Sequence, residues 1–209
     1  LAILDVEPDE QVERHLARLM EIATGTTIAF ALAALEEGAD LVMNGDSLAS
    51  LDMISPAIYE RWAWPYEKAF FDRVRPEADA RGALTLLHIC GDTTPILHLS
   101  TATGAHIVEL DWKVDLAEAR RVASEAASPG GARAAGERAP VGAHPDGEAA
   151  PVDDSEPAPA RAPGPVALMG NLDPTAVLLQ GSPDNVRTAA REAIAAASEG
   201  GGDGAPTAG

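Results

Sequence analysis

One cysteine, Cys90, stands in the 209 residues. That count excludes an internal disulfide framework and a self-contained four-cysteine zinc site. Basic residues are also few. Lys and Arg number 15 against 33 Asp and Glu, a formal net charge of -18. Binding nucleic acid or an anionic membrane surface requires a basic face, so neither is expected. No apolar run approaches the ~20 residues of a membrane span. The N-terminus, Leu1-Ala2-Ile3-Leu4-Asp5, lacks the basic flank and long apolar stretch of a signal peptide, and it lacks Met. There is no Gly-rich phosphate loop, no Ser-His-Asp order and no basic-aromatic interleaving. What is present is an ordinary apolar fraction, 46%, in a chain long enough for one domain or part of a larger one. A soluble, cytoplasmic protein is the expectation.

Residues 9–37 carry apolar side chains at helical spacing, Val12, Leu16, Leu19, Met20, Ala23, Phe30 and Ala34 among them, and Gly38 supplies a stop. ADLVMNG (39–45) reads as a buried strand opening into a polar loop. Ser55-Pro56 starts a helix that Pro65 bends or interrupts. ALTLLHI (83–89) is the second strand, Thr94-Pro95 opens a helix closed by Gly104, and 106–110 is the third strand. Asp115 with Glu118 resembles a capping box for a helix to about Ala127. VALMG (166–170) is the fourth strand, and Asp173-Pro174 and Ser182-Pro183 start helices.

Residues 128–164 contain Pro, Gly and Ala almost throughout, with Val141 and Val152 the only large aliphatics. Such a stretch buries too little to offset its ordering entropy, so a disordered insertion is expected. The domain reading is therefore barrel-type structure in 1–127, the insertion 128–164, further structure in 165–198 and a flexible tail 199–209. Strands alternating with helices imply an α/β fold, parallel strands with helical crossovers. A (β/α)8 barrel and a doubly wound sheet both satisfy that order.

Functional groups in such folds gather at the C-terminal strand ends. His88 and Cys90 are two apart on an extended strand and point to one side, where imidazole and thiolate can meet one metal ion. A buried Cys beside a strand-end His is the plainer alternative. Asp46, Asp92 and Asp111 are candidate acids, bases or partners of a ligating His, or simply loop caps. Asp92 can cap the helix at Pro95, and Asp173 caps its own helix. Trp62 and Trp64 read as core, His98 as packed or solvated, and His15, His106 and His144 show no partner.

LHICGDTTPIL (87–97) resembles the strand-loop-helix of the uroporphyrinogen decarboxylase superfamily, in its branch of zinc-dependent methylcobamide:thiol methyltransferases. EEGADLVMNGDSLASLDMISPAIYERWAWPYEKAF (36–70), GAHIVELDWKVDLAEAR (104–120) and VALMGNLDPTAVLLQGSPDNVR (166–187) are similar to further segments of it, in family order. The resemblance covers roughly residues 9–127 and 165–198.

It implies a partial (β/α)8 barrel, with the family's first segment and its last strand expected to be missing. The methyltransferase branch takes zinc on the His and Cys of H-x-C-G and on a further Cys from that last loop. His88 and Cys90 match the first two, and the third has no counterpart here. The implied chemistry is transfer of a methyl group from a methylated corrinoid, carried by a partner corrinoid protein, to a small thiol such as coenzyme M. Asp46, Asp111 and Asn171 are placed by resemblance around the barrel mouth, the two acids as candidate catalytic groups and Asn171 as a substrate contact. GNLDP and LDW-x-VDLAEAR are shared with true decarboxylases, so cofactor-free decarboxylation of uroporphyrinogen in porphyrin biosynthesis is the alternative. An inactive chain that only binds a corrinoid or a partner protein is a third reading. A barrel lacking strands leaves open edges, so a marginal or homo-oligomeric chain is expected.

Overall fold

The computed structural model describes residues 10–126 and 166–198. The elements run α1 (Glu10–Glu36), β1 (Leu41–Gly45), α2 (Pro56–Trp62), α3 (Trp64–Arg81), β2 (Leu84–His88), a 3-10 turn (Thr94–Ile96) continuing into α4 (Leu97–Ser100), β3 (Ile107–Glu109), α5 (Leu116–Ala126), β4 (Ala167–Met169), a π-helical segment (Pro174–Leu179) and α6 (Pro183–Ser198). The insertion expected at 128–164 and the tail at 199–209 lie outside the described residues.

The four strands form one parallel sheet in the order β1-β2-β3-β4. A doubly wound sheet reverses its strand order at a switch point, whereas a barrel adds each strand beside the last. The unbroken order is therefore an arc of a (β/α)8 barrel. Register sets its two faces, because paired residues in neighbouring parallel strands point the same way. Gly45, His88, Glu109 and Met169 align as one row at the C-terminal ends. Met43 and Leu86 lie one layer below, on the face that lines the inside of a barrel. The opposite face, with Val42, Thr85, Leu87 and Val108, is buried.

Helix α3 supplies Phe70, Phe71, Val74 and Ala78 to the core. Phe70 and Phe71 meet edge to face with ring centroids 5.0 Å apart, the arrangement that aromatic quadrupoles favour. Trp64 is buried as expected, and its indole N–H donates to the Leu99 carbonyl at 2.8 Å. On the inner face Met43 and Met169 remain 54% and 41% exposed, and the outer edges of β1 and β4 pair with no other described strand. That is the open arc anticipated for a partial barrel.

The interruption expected at Pro65 is present, as a break at Ala63 that leaves Pro65 in the first turn of α3, where its missing N–H goes unneeded. Several local expectations need correction. Pro76 lies inside α3, which runs on through it. The helix expected from Thr94 to Gly104 is only a 3-10 turn and one α turn. The segment after Asp173 is π-helical, although Asp173 caps it as expected by accepting from the Thr175 and Ala176 amides. Asp115 caps α5 through the Glu118 amide at 2.8 Å, but the Glu118 carboxylate binds Arg121 instead of closing the box. Helix α1 is long and apolar enough, by length and composition, to cross a membrane, against the expectation that no run approaches that length. Its many Ala residues, and the Thr-Gly-Thr-Thr run in its middle, make the apolar stretch inconspicuous. Here the helix packs along α3 and β1 and buries Ala31 and Leu35.

Phe71 is fully buried, so Phe71→Ala should destabilise the chain by about 3–5 kcal/mol through lost burial and a residual cavity. Urea unfolding would read this as a lower midpoint. A change within about 0.5 kcal/mol, the range of surface substitutions, would place Phe71 outside the core.

Candidate functional site

The row of strand ends gathers the polar groups. His88 closes β2 on the inner face. Its Nε2 lies 3.0 Å from the Cys90 sulfur, and its Nδ1 lies 2.8 Å from Glu109 Oε2. The i, i+2 reading of His88 and Cys90 thus holds as a real contact. Gly91 follows at φ +90°, and a Cβ there would meet Asp52 Oδ2 and Ser50 Oγ. The glycine of H-x-C-G is therefore favoured by its backbone conformation, and a side chain there would also have to displace Ser50 and Asp52.

Asp111 is the hub of the neighbouring loops. Its Oδ2 accepts from the Gly91 amide at 2.9 Å and its Oδ1 from the Lys113 amide at 3.0 Å. Asn171 donates through Nδ2 to the carbonyls of Asp111 and Val114, at 2.9 and 2.6 Å. The loops after β2, β3 and β4 are thereby fastened together. Asn171's donors are committed to this brace, which leaves its Oδ1 as the group able to face a ligand. Asp92 takes the structural role, accepting from the Thr94 amide at 2.9 Å. His106 does have partners: its Nδ1 meets the Thr85 amide at 3.0 Å and its Nε2 meets Asp79 at 2.9 Å. His144 lies outside the described residues.

Asp46 joins the cluster through its backbone, whose N–H donates to the His88 carbonyl at 2.9 Å. Its side chain instead meets Glu67 of α3. Glu67 is almost fully buried, with one carboxyl oxygen accepting from the Tyr59 hydroxyl at 2.5 Å. The other oxygen has no ordinary donor in reach and faces the Asp46 carboxyl. A buried carboxyl beside a partly buried one does not readily ionise together with it, which favours a proton held between them. Burial is the main cause that pushes Glu67 up to about 8, and the Asp46 charge adds to it. Burial also raises Asp46, an effect opposed by its bond to Glu67. A recess of about 150 Å³ opens beside the pair, with Thr24, Thr27, Asn44 and Tyr66 on its walls. Sequence reasoning missed Glu67, Tyr59 and Glu109. For the two glutamates the one available signal was an acid within the apolar pattern of a helix or strand; for Tyr59 it was its place in the Ser55-Pro56-x-x-Tyr59 run.

His88 and Cys90 present a nitrogen and a sulfur donor side by side. That pairing suits zinc or another borderline-soft ion. The donor set fits as two ligands of such a site, while catalytic zinc ordinarily takes three from protein. Among the described residues no group of three or more His, Cys, Asp or Glu is arranged to hold a metal.

The raised Glu67 has a consequence for stability. In an unfolded chain its carboxyl would ionise near 4.5, in the fold near 8. Between those values the folded state holds the extra proton. Stability from this group is thus present below the lower value and lost as pH rises through the upper one, by at most about 1.4 kcal/mol per pH unit. Glu67→Gln keeps an acceptor for Tyr59 and a donor for Asp46 but cannot ionise. Thermal melts across this range should show the wild-type midpoint falling with pH and the variant's falling less. Parallel profiles would mean that Glu67 ionises as an ordinary glutamate.

A methylcobamide:CoM methyltransferase, MtbA of Methanosarcina acetivorans, is 28% identical over 182 residues, covering 87% of this chain and 41% of that protein. A uroporphyrinogen decarboxylase of Nocardia farcinica is 36% identical over 103 residues, 49% of this chain and 27% of its own length. A solved methyltransferase structure from Methanosarcina mazei superposes with a TM-score of 0.58 at 24% identity, covering 84% of this chain and 39% of that one. At that identity the likeness speaks for the fold. The chain therefore spans about two fifths of the methyltransferases it matches. The family model described as uroporphyrinogen decarboxylase (URO-D) matches residues 11–204, and the chain belongs to that family.

Proposed function

We propose that the complete protein is a zinc-dependent methyltransferase that moves a methyl group from a methylated corrinoid, presented by a corrinoid protein, to a small thiol such as coenzyme M. The observation that carries this reading is the contact between His88 Nε2 and Cys90 Sγ, 3.0 Å apart at the strand ends. Likeness to methylcobamide:CoM methyltransferases across 87% of the chain supports it.

His88 and Cys90 would hold the zinc, with a third donor from outside the arrangement described. Zinc there supplies Lewis acidity that keeps a bound thiol as its thiolate near neutral pH. The thiolate so held would be the nucleophile toward the methyl group of the corrinoid, which would keep the electron pair of the broken carbon–cobalt bond, the thiol's proton having gone to solvent. The chain's own residues hold the mouth in shape. Asp111 fixes the Cys90–Gly91 peptide through the Gly91 amide, and Asn171 ties the next loop to the Asp111 carbonyl. The Asp46–Glu67 pair keeps the loop after β1 against α3.

A second reading, cofactor-free decarboxylation of uroporphyrinogen, has its own support in the 36% identity to a decarboxylase. That match spans a smaller share of this chain than the methyltransferase match does.

Zinc stoichiometry on the purified chain, beside His88→Ala and Cys90→Ala, separates the two. Methyl transfer expects zinc in the wild type and little in either variant. Wild-type chain without zinc, together with turnover of uroporphyrinogen in metal-free buffer, would establish decarboxylation. Corrinoid binding with no methyl transfer would leave a binding role alone.

A further inference from the structure

We propose that Glu109 is a positioning residue that sets the ring orientation and tautomer of His88, so that Nε2 is the metal-binding atom. The inference rests on the zinc reading and deepens it. It assigns a residue that lies outside H-x-C-G, on a different strand, and that the sequence did not single out.

Register brings the two groups together. His88 of β2 and Glu109 of β3 are paired residues in adjacent parallel strands, so both side chains stand on the inner face of the arc. The Glu109 carboxylate meets Nδ1 at 2.8 Å. A carboxylate oxygen only accepts, so Nδ1 carries the hydrogen and donates. Neutral imidazole has one N–H, which leaves Nε2 with a free lone pair. That lone pair is directed at the sulfur of Cys90, 3.0 Å away. One carboxylate thus decides which nitrogen is available and where it points. Both groups are partly exposed, at 27% for His88 and 34% for Glu109. Without this bond the ring would be free to rotate and to change tautomer in water.

His106 shows the contrast. Its Nδ1 serves the Thr85 amide and its Nε2 meets Asp79, so both nitrogens are occupied by the fold. His88 instead has one nitrogen held by a carboxylate and the other facing a sulfur, the arrangement in which a carboxylate orients a ligating histidine.

The test is a zinc titration of the whole chain against a competing chromophoric chelator, with wild type, Glu109→Ala, Glu109→Gln and His88→Ala. Ring-nitrogen NMR of His88 in the metal-free proteins accompanies it. Glu109→Ala should weaken zinc binding about 10–100-fold. Glu109→Gln should fall between, because its amide oxygen still accepts from Nδ1–H without the charge. The NMR should show Nδ1 protonated in wild type and a mixture of tautomers in Glu109→Ala, a change that a merely structural role would not produce. Equal zinc affinity in wild type and Glu109→Ala would overturn the inference and leave the metal reading standing. Zinc binding that His88→Ala does not weaken, or no zinc uptake by wild type, would overturn the metal reading. In that case the ring nitrogens decide the orienting role alone, and identical tautomers in wild type and Glu109→Ala would overturn it too.

Discussion

Parallel pairing in strict sequence order is the constraint on which the site depends. Each strand is short, and the last two hold three residues each. Such strands have little hold on one another except through register, and register is what aligns Gly45, His88, Glu109 and Met169. A slip of one residue between β2 and β3 would send Glu109 to the helix-covered face and leave His88 without its carboxylate. The chemistry at the mouth and the geometry of the sheet are therefore a single requirement. The pinning force comes from the buried face, where Leu87 and Val108 pack under the helices.

The loops need a second fastening, because strands this short cannot rigidify the segments beyond their ends. Asp111 supplies it by accepting backbone amides from both its own loop and the loop of Cys90. Asn171 extends the same network to the end of β4. Aspartate and asparagine suit this work because their short side chains bond nearby backbone without long flexible stems. Residues that looked like acids and substrate contacts thus act as braces of the mouth. Bracing and function are compatible here, since a metal pair is only as well placed as the loop that carries Cys90.

The legible part of this protein is what local chemistry determines. The strands were readable from apolar runs, the helix starts from Ser-Pro, Asp-Pro and Asp115, and the His88–Cys90 pair from its spacing alone. The family was readable because several blocks agree in order. What stayed hidden depends on non-local placement. Glu109 becomes meaningful only when β3 is set against β2 in one particular register, and a single sequence does not print register. Glu67 was not singled out, because an acid in the first turn of a helix is ordinarily a surface group that suits the N-terminal end of the dipole. Its burial arises from Asp46 and Tyr59, which approach from other elements. The break at Ala63 was blurred because proline tolerates the first turn of a helix as readily as it ends the one before.

Charge at the mouth bears on the choice between the two chemistries. The loops after β1 to β4 carry Asp46, Asp52, Asp92, Asp111, Asp115 and Asp173, and Glu109 stands at a strand end. Lys113 is the only Lys or Arg in those loops, and it is paired with Asp52 at 2.7 Å. A polycarboxylate tetrapyrrole would enter a field of its own sign, which opposes its approach. A divalent cation at His88 and Cys90 reverses that relation. It would be drawn by the carboxylates of these described loops and, once seated, would offset them where the proposed thiolate would sit. The acidity of this arc is thus compatible with the proposed cation site. Glu109 would contribute twice to that balance, through its bond to His88 Nδ1 and through a negative charge placed behind the ring proposed to hold the metal.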